Sequence, residues 1–373
     1  MKEQFVQGHG MPTPFDLSNI AIGRGDKMKT KFTSLLFDKA ILYFIFFIIC
    51  YVSFISVHTA NSDALDNWQQ RGAGVTTEYL QAVVYGNGTF IAVGRNGAIV
   101  YSTDGALWTS LNSGTTKWIK AITYSNQSFK AVGWEGVYLT SDDGQQWNAQ
   151  IMATSKDYHN DIIYAGGLYV VVGYFNDIAP TGNVITSFDG NNWDVDTMGF
   201  AAYHYGIAFG ANTYIVTGSA GKILSSPDCD IWTKEISGSG SNLISVCYAN
   251  NLFVVVGTNG AILTSANGQI WSIVGTVTSE TLFEVRFCQD TWVAVGANGT
   301  LLTSKAGDNW EARNSSTNTN LRSIAVGNDT VVVVGENGLI LQSDPLDPNN
   351  GSQQSDGDGG GGGRGCFIST INK

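Results

Sequence analysis

The most regular feature of the chain is an alternation of short apolar runs with polar, glycine-bearing turns. From Gly86 to Trp108 it reads GNGTFIAVGRNGAIVYSTDGALW: an apolar run, a Gly-Arg-Asn-Gly turn, a second apolar run, a Ser-Thr-Asp-Gly turn, and a Trp opening the next run. β-Branched and aromatic segments joined by Asn-Gly connections predict β-hairpins, with every second side chain on one face. The Trp recurs at Trp68, Trp108, Trp147, Trp193, Trp232, Trp271 and Trp310, at spacings of 40, 39, 46, 39, 39 and 39 residues. A Val-Gly or Thr-Gly pair closes the first run seven times, at Gly94, Gly133, Gly173, Gly218, Gly257, Gly296 and Gly335. A period near 40 residues with several short strands per unit predicts an all-β fold, a seven-bladed β-propeller over residues 61–345.

Each unit reads as four strands. The innermost carries apolar positions such as Val83, Ile122 and Ile162, with Tyr85, Tyr124 and Tyr164 two residues on, a period-two pairing expected to pack against the neighbouring blade. The second strand ends at Val/Thr-Gly, the third at a Ser, and the fourth begins at the Trp. Trp68 precedes the first complete unit, while the last unit ends at Ser343 without a Trp. The N-terminal strand is therefore expected to close the last blade and to remove the free sheet edge.

The flanks differ in character. Residues 1–39 form a basic N-terminal segment, expected to be cytoplasmic, and Ala40 to Val57 contains 18 residues without a charge, enough to span a membrane. Residues 40–60 read both as a membrane anchor and as a signal peptide, started from Met28 and cut after Ala60; His58 and the length of the run argue against the cut. On either reading the propeller is exported, to a periplasmic, cell-surface or secreted location. Residues 346–373 are a Gly-rich tail, expected to be disordered, that ends in Cys366-Phe367-Ile368 after five consecutive glycines. It resembles short C-terminal Cys-Phe-Ile boxes of bacterial exported proteins, which makes Cys366 a candidate for modification or processing.

Charge narrows the partners. Residues 61–350 hold 12 Lys or Arg against 25 Asp or Glu, a formal charge of −13. A surface that acidic repels phosphate backbones, so no nucleic acid is expected. The five cysteines, at 50, 229, 247, 288 and 366, show no CxxC spacing; Cys50 lies in the apolar segment, those of the propeller read as small core residues, and a Cys247–Cys288 bridge is open to them but unsupported by spacing.

The turn from third to fourth strand reads Ser102-Thr103-Asp104-Gly105-Ala106-Leu107-Trp108, with Asp143, Asp189 and Asp228 in the place of Asp104. Ser and Asp at this spacing suit the capping of backbone N–H groups in a tight turn, with Trp as an apolar anchor. The motif resembles the Asp-box of bacterial neuraminidase repeats, and the whole repeat resembles propellers of the photosystem II assembly-factor type. It departs from the sialidase box by one residue fewer between Asp and Trp, by Asn267 and Ala306 in the place of Asp, and by Cys229 in the place of Gly. The resemblance implies that the box is structural and faces away from the ligand side.

Candidate binding residues gather on one rim. Tyr79, Trp118, Tyr158 and Tyr203 stand at one repeat position in blades one to four, where the later blades have Asn242, Thr281 and Asn320. At the next position His159 and His204 replace the Leu or Ile of the other five blades, and the connection from second to third strand adds Arg95, Trp134 and Tyr174. Aromatic and imidazole groups concentrated on half a rim suit a protein partner or glycan; the plainer alternative is that the rings only shield the strand entrances. No metal or cofactor is expected, because His159 and His204 have only Asp161 nearby. A glycan-active hydrolase of sialidase-like architecture is the rival reading. It needs three converging arginines and paired carboxylates, whereas Arg71, Arg95, Arg286, Arg313 and Arg322 occupy non-matching positions, and Asp161 and Glu284, candidates to face the channel, fall in blades three and six. The sequence thus favours a non-catalytic binding or assembly module, with a purely structural surface protein as the second alternative.

Overall fold

A computed structural model of the chain describes residues 63–152, 157–175, 181–275 and 277–346. The candidate anchor at 40–57 and Cys366 lie outside the described residues. Among those described, no helix is long and apolar enough to cross a membrane.

Seven four-stranded antiparallel sheets follow one another as blades. Blade 1 comprises Leu80–Gly86, Thr89–Gly94, Ile99–Ser102 and Thr109–Leu111, and the next five repeat that order. Two-residue turns join first to second strands. In six blades both central residues have positive φ, as at Asn87 (49°) and Gly88 (71°), the mirror-image turn whose twist matches that of the strands it joins. The core is not a single mass but seven apolar clusters, one between each pair of neighbouring blades. Ile91, Val93 and Ile99 meet Ile122 and Phe129 between blades 1 and 2. Leu80, Val83 and Phe90 meet Val332, Val334 and Ile340 between blades 1 and 7, which makes the stack a closed ring.

Blade 7 takes its outer strand from the start of the chain. Trp68–Arg71 pairs antiparallel with Ile340–Ser343, Trp68 opposite Ser343 and Arg71 opposite Ile340. The indole of Trp68 is buried and donates to Leu65 O at 2.9 Å. Around it Asn67 Nδ2 donates to Asp344 Oδ2 (2.9 Å), Arg71 Nε to Gln342 Oε1 (2.9 Å), and Arg313 Nη1 reaches Asp66 Oδ1 (2.6 Å). Polar bonds therefore lock the clasp while the indole supplies the apolar burial.

The cysteines described, Cys229, Cys247 and Cys288, are all buried. Cys288 is a free thiol, so the Cys247–Cys288 pair does not form. Burial pushes the thiols of Cys229 and Cys288 up to about 12, leaving both as inert neutral packing groups.

Candidate functional site

The glycine of each Val/Thr-Gly pair shapes the channel entrance. A Cβ on Gly94 would stand 1.8 Å from Tyr79 O, and one on Gly133 would stand 2.0 Å from Trp118 O, so the inner strand approaches closer than any side chain allows. Directly opposite, every inner strand carries a β-bulge: the register slips between Leu80 and Ala82, and at the equivalent step in all seven blades. A bulge re-aims one side chain. Here the bulged residues are Gln81, Lys120, Asn160, Tyr205, Ile244, Phe283 and Arg322, one per blade, and all seven line a single cavity of about 760 Å³ at the mouth of the channel.

None of these seven is among the candidate binding residues read from the sequence, where Arg322 counts only as an arginine at a non-matching position, because strict alternation assigns each to the face opposite its apolar neighbours. The available signal was a Gln, Lys, Asn or Arg interrupting an otherwise apolar run.

The rim residues Tyr79, Trp118, Trp134, Tyr158, Tyr174 and Tyr203 are brought together as one continuous row of rings. Centroids lie 5.5 Å apart for Tyr79–Trp118, 4.5 Å for Trp118–Trp134, 5.1 Å for Trp134–Tyr158, 5.3 Å for Tyr158–Tyr174 and 4.6 Å for Tyr174–Tyr203. Tyr205 continues the row from Tyr203 at 6.5 Å. Cations interleave at its cavity end. Arg95 sits 4.3 Å and Lys120 4.3 Å from the Trp118 ring, and Arg322 lies 4.7 Å from Tyr79 and 3.6 Å from Phe283. Burial pushes the phenols of Tyr79 and Tyr174 up to about 12, so both remain neutral donors. In blades 5 and 7 the same position holds an Asn that serves the fold, since Asn242 Oδ1 accepts from Ala220 N and Asn320 Oδ1 from Asn298 N. Blades 1 to 4 thus place a ring where these two blades place a turn-capping amide.

His159 and His204 do not join the rim. Both are fully buried, facing the glycines of their own blades, Gly173 and Gly218, in the place filled by Leu80 or Leu243 elsewhere. The bulge turns the following residue outward and leaves the imidazole inside. Neither ring has a hydrogen-bond partner among the described residues, and burial lowers each pKa to about 4.

Asp161 and Glu284 do not face the channel either. Asp161 Oδ2 accepts from Ile207 N in blade 4 at 3.1 Å, and Glu284 Oε2 from Ile324 N in blade 7 at 2.8 Å, while Arg286 pairs with Glu284 Oε1 at 2.8 Å. Both carboxylates stitch one inner strand to the next. Of the five propeller arginines, Arg95 and Arg322 reach the cavity, Arg71 and Arg313 lie on outer strands, and Arg286 is held by Glu284.

Asp104, Asp143, Asp189 and Asp228 sit at the opposite ends of the strands, in the turns from third to fourth strand. Asp104 Oδ1 accepts from Ala106 N and Leu107 N at 2.8 Å each, Ser102 Oγ accepts from Gly105 N at 2.8 Å, and Trp108 Nε1 donates to Gly105 O at 2.8 Å. These backbone N–H bonds hold all four carboxyls below the usual range.

Fold and entrance together define a seven-bladed β-propeller whose channel mouth is cut by bulges and bordered on one side by aromatic rings. No protein-family model and no curated protein matches the chain. Among solved structures it is similar to YCF48 from Cyanidioschyzon merolae, at 17% identity and a TM-score of 0.61 over 76% of this chain and 99% of that one. It is also similar to YCF48 bound to D1 peptide, at 16% identity and a TM-score of 0.60 over 75% and 98% of the two chains. A third likeness is to a catalytically inactive virginiamycin B lyase from Staphylococcus aureus with quinupristin, at 11% identity and a TM-score of 0.64 over 75% and 99%. At such identities the likeness is one of fold, and it accords with the resemblance of the repeat to assembly-factor propellers.

Proposed function

We propose that this protein is an exported, non-catalytic binding module that holds a segment of a partner protein against the channel mouth. The observation that carries this reading is convergence: seven bulged residues line one cavity, and the row of aromatic rings enters it at Tyr79, Trp118 and Tyr205. Apolar rings beside a few oriented polar groups are what a recognition site needs. The non-catalytic part rests on where the carboxylates are spent. Asp161 and Glu284 bridge backbone, Glu78 Oε2 accepts from Asn96, and Glu336 accepts from Arg322 and Asn320. Although burial opposes it, the Arg322 bond holds Glu336 below the usual carboxylate range, so it is poorly placed to serve as a general acid. The YCF48 structure with a bound peptide supports a protein segment as the ligand.

Affinity capture from intact cells of the native host, with the full chain as bait, tests the reading. A specific partner should be captured by the native protein and lost with Trp118→Ala. Retention of every partner by Trp118→Ala and Tyr203→Ala, with loss on altering the turns at Asp104 or Asp143, would place the docking face at the other end of the strands.

A further inference from the structure

The mouth is chemically divided. Going round the ring of bulged residues, blades 7, 1, 2 and 3 contribute Arg322, Gln81, Lys120 and Asn160, whereas blades 4, 5 and 6 contribute Tyr205, Ile244 and Phe283. One side is cationic and polar and the other is apolar, the two meeting where Arg322 lies over the Phe283 ring. The division concerns the residues that line the channel entrance, and it meets the aromatic row at Tyr205.

The charge on the polar side is only partly cancelled, leaving an excess of one cation. The propeller as a whole is strongly acidic, yet three cations and two acids line this cavity. Both acids are occupied by neighbours, Glu336 by Arg322 and Asn320 and Glu78 by Asn96. Arg95 enters none of the ion pairs among the described residues. It is held instead by rings, 5.0 Å from the centroid of Tyr79 and 4.3 Å from that of Trp118. A guanidinium held by aromatic rings and not by a carboxylate keeps N–H donors that suit an incoming carboxylate. Resting on the reading of the mouth as the docking face, we infer that it recognises an acidic side chain set directly beside an apolar one in an extended peptide segment, the carboxylate going to Arg95 and the apolar group to Ile244 and Phe283.

Adjacency follows from strand geometry. Successive side chains of an extended segment point to opposite sides. A segment crossing the mouth along the boundary between its halves therefore presents one residue to blades 7, 1 and 2 and the next to blades 4, 5 and 6. The apolar contact supplies binding and the carboxylate supplies selection, because a glutamine in its place leaves Arg95 without an anion.

The test uses the full chain and octapeptides blocked at both ends, so that no terminal carboxylate contributes. One peptide carries a glutamate next to a leucine; in the controls glutamine replaces the glutamate, serine replaces the leucine, or a glycine separates the two. Fluorescence anisotropy should show the first binding about tenfold more tightly than each control, with an affinity that falls as salt rises. Arg95→Gln, at an exposed position, should make the glutamate and glutamine peptides equal while leaving the melting temperature unchanged. Ile244→Ser should equalise the leucine and serine peptides. Equal binding of all four peptides overturns the inference, as does an acid preference that survives Arg95→Gln, or binding of polygalacturonate in the absence of any peptide binding. If Trp118→Ala and Phe283→Ala abolish capture of the native partner while the four peptides are not distinguished, the ligand chemistry is wrong and the docking face is right. If those variants leave capture intact, the docking face itself is wrong.

Discussion

The amide of Arg95 donates to the carbonyl of Tyr79 at 2.9 Å, across the one point in blade 1 where the second strand has no room for a Cβ. That bond pins the rim ring of Tyr79 and the cation of Arg95 in one unit, with the bulge at Gln81 just beyond. Gly94→Ala puts a methyl group 1.8 Å from that carbonyl oxygen. Backbone must move to admit it, at a cost of about 3 kcal/mol or more. Denaturant unfolding should show that loss. Ala at Gly240, which has open space around it, should be close to neutral.

The ring should fold as one cooperative unit because its last blade is completed by the first strand. Deleting residues 63–71 removes a four-residue strand pairing, the buried Trp68 and the Arg313–Asp66 contact together. The expected loss is several kcal/mol, and Trp68→Ala alone should cost about 3 kcal/mol. Arg313→Ala, which removes partly exposed ion pairs, should cost about 1 kcal/mol or less. An unchanged melting temperature after the deletion would show that the clasp carries no stability.

Much of the fold was legible because the repeat is dictated by close approach. The Val/Thr-Gly pair, the Asn-Gly turns and the Trp recur since each answers a steric or hydrogen-bonding demand present in every blade, and the missing Trp after Ser343 left only Trp68 to complete blade 7. The aromatic half of the rim was legible too, as a departure from Asn at one repeat position. The mouth was not. Its residues are aimed by a bulge, which breaks the period of two on which facing is read, so Lys120 and Arg322 read as ordinary strand positions while His159 and His204, one residue earlier, read as rim groups. Asp161 and Glu284 misled for a related reason: their partners are backbone amides of the next blade, which no local pattern announces.

The two buried imidazoles make stability depend on pH in a definite direction. Burial disfavours the charged form and lowers both pKa values to about 4 from an ordinary 6.5. The unfolded chain therefore binds protons that the native state refuses, and their contribution is complete above about pH 6.5 and falls away as pH drops from there towards 4. Each histidine should cost up to about 3 kcal/mol across that window. Replacing both with Leu, the residue at this place in blades 1 and 5, should flatten the melting temperature between pH 6.5 and 4 relative to the native protein. An identical fall in the two proteins would mean that other groups set the acid limb.

In the turns at the far ends of the strands, Trp should matter more than Asp. Blade 6 has Ala306 in place of the carboxylate and still forms the turn, with Gly307 N donating to Ser304 Oγ at 2.9 Å and Trp310 Nε1 to Gly307 O at 3.1 Å. Asp104→Ala should therefore cost about 1 kcal/mol, the scale of a lost backbone cap. Trp108→Ala, which empties part of the cluster between blades 7 and 1, should cost about 3 kcal/mol. Comparable losses would assign the carboxylate a larger structural role than blade 6 implies.

Trp118 is the junction of the site. Its ring touches Tyr79 and Trp134 in the aromatic row and carries both Arg95 and Lys120 at 4.3 Å, so one side chain orders the cationic edge of the mouth and joins it to the rim. Truncation removes the platform for two cations at once, and hot spots of this kind cost about 2 kcal/mol or more of binding, roughly thirtyfold in Kd. Trp118→Ala should weaken partner binding by that amount, whereas Trp118→Phe, which keeps an aromatic face, should recover about half of the loss. The comparison needs titration of the captured partner against native and variant protein at matched folded fraction, checked by melting. If Phe behaves like Ala, the indole acts through its bulk and not as a seat for the cations; if neither variant weakens binding, the aromatic row is only a cover for the strand ends beneath it.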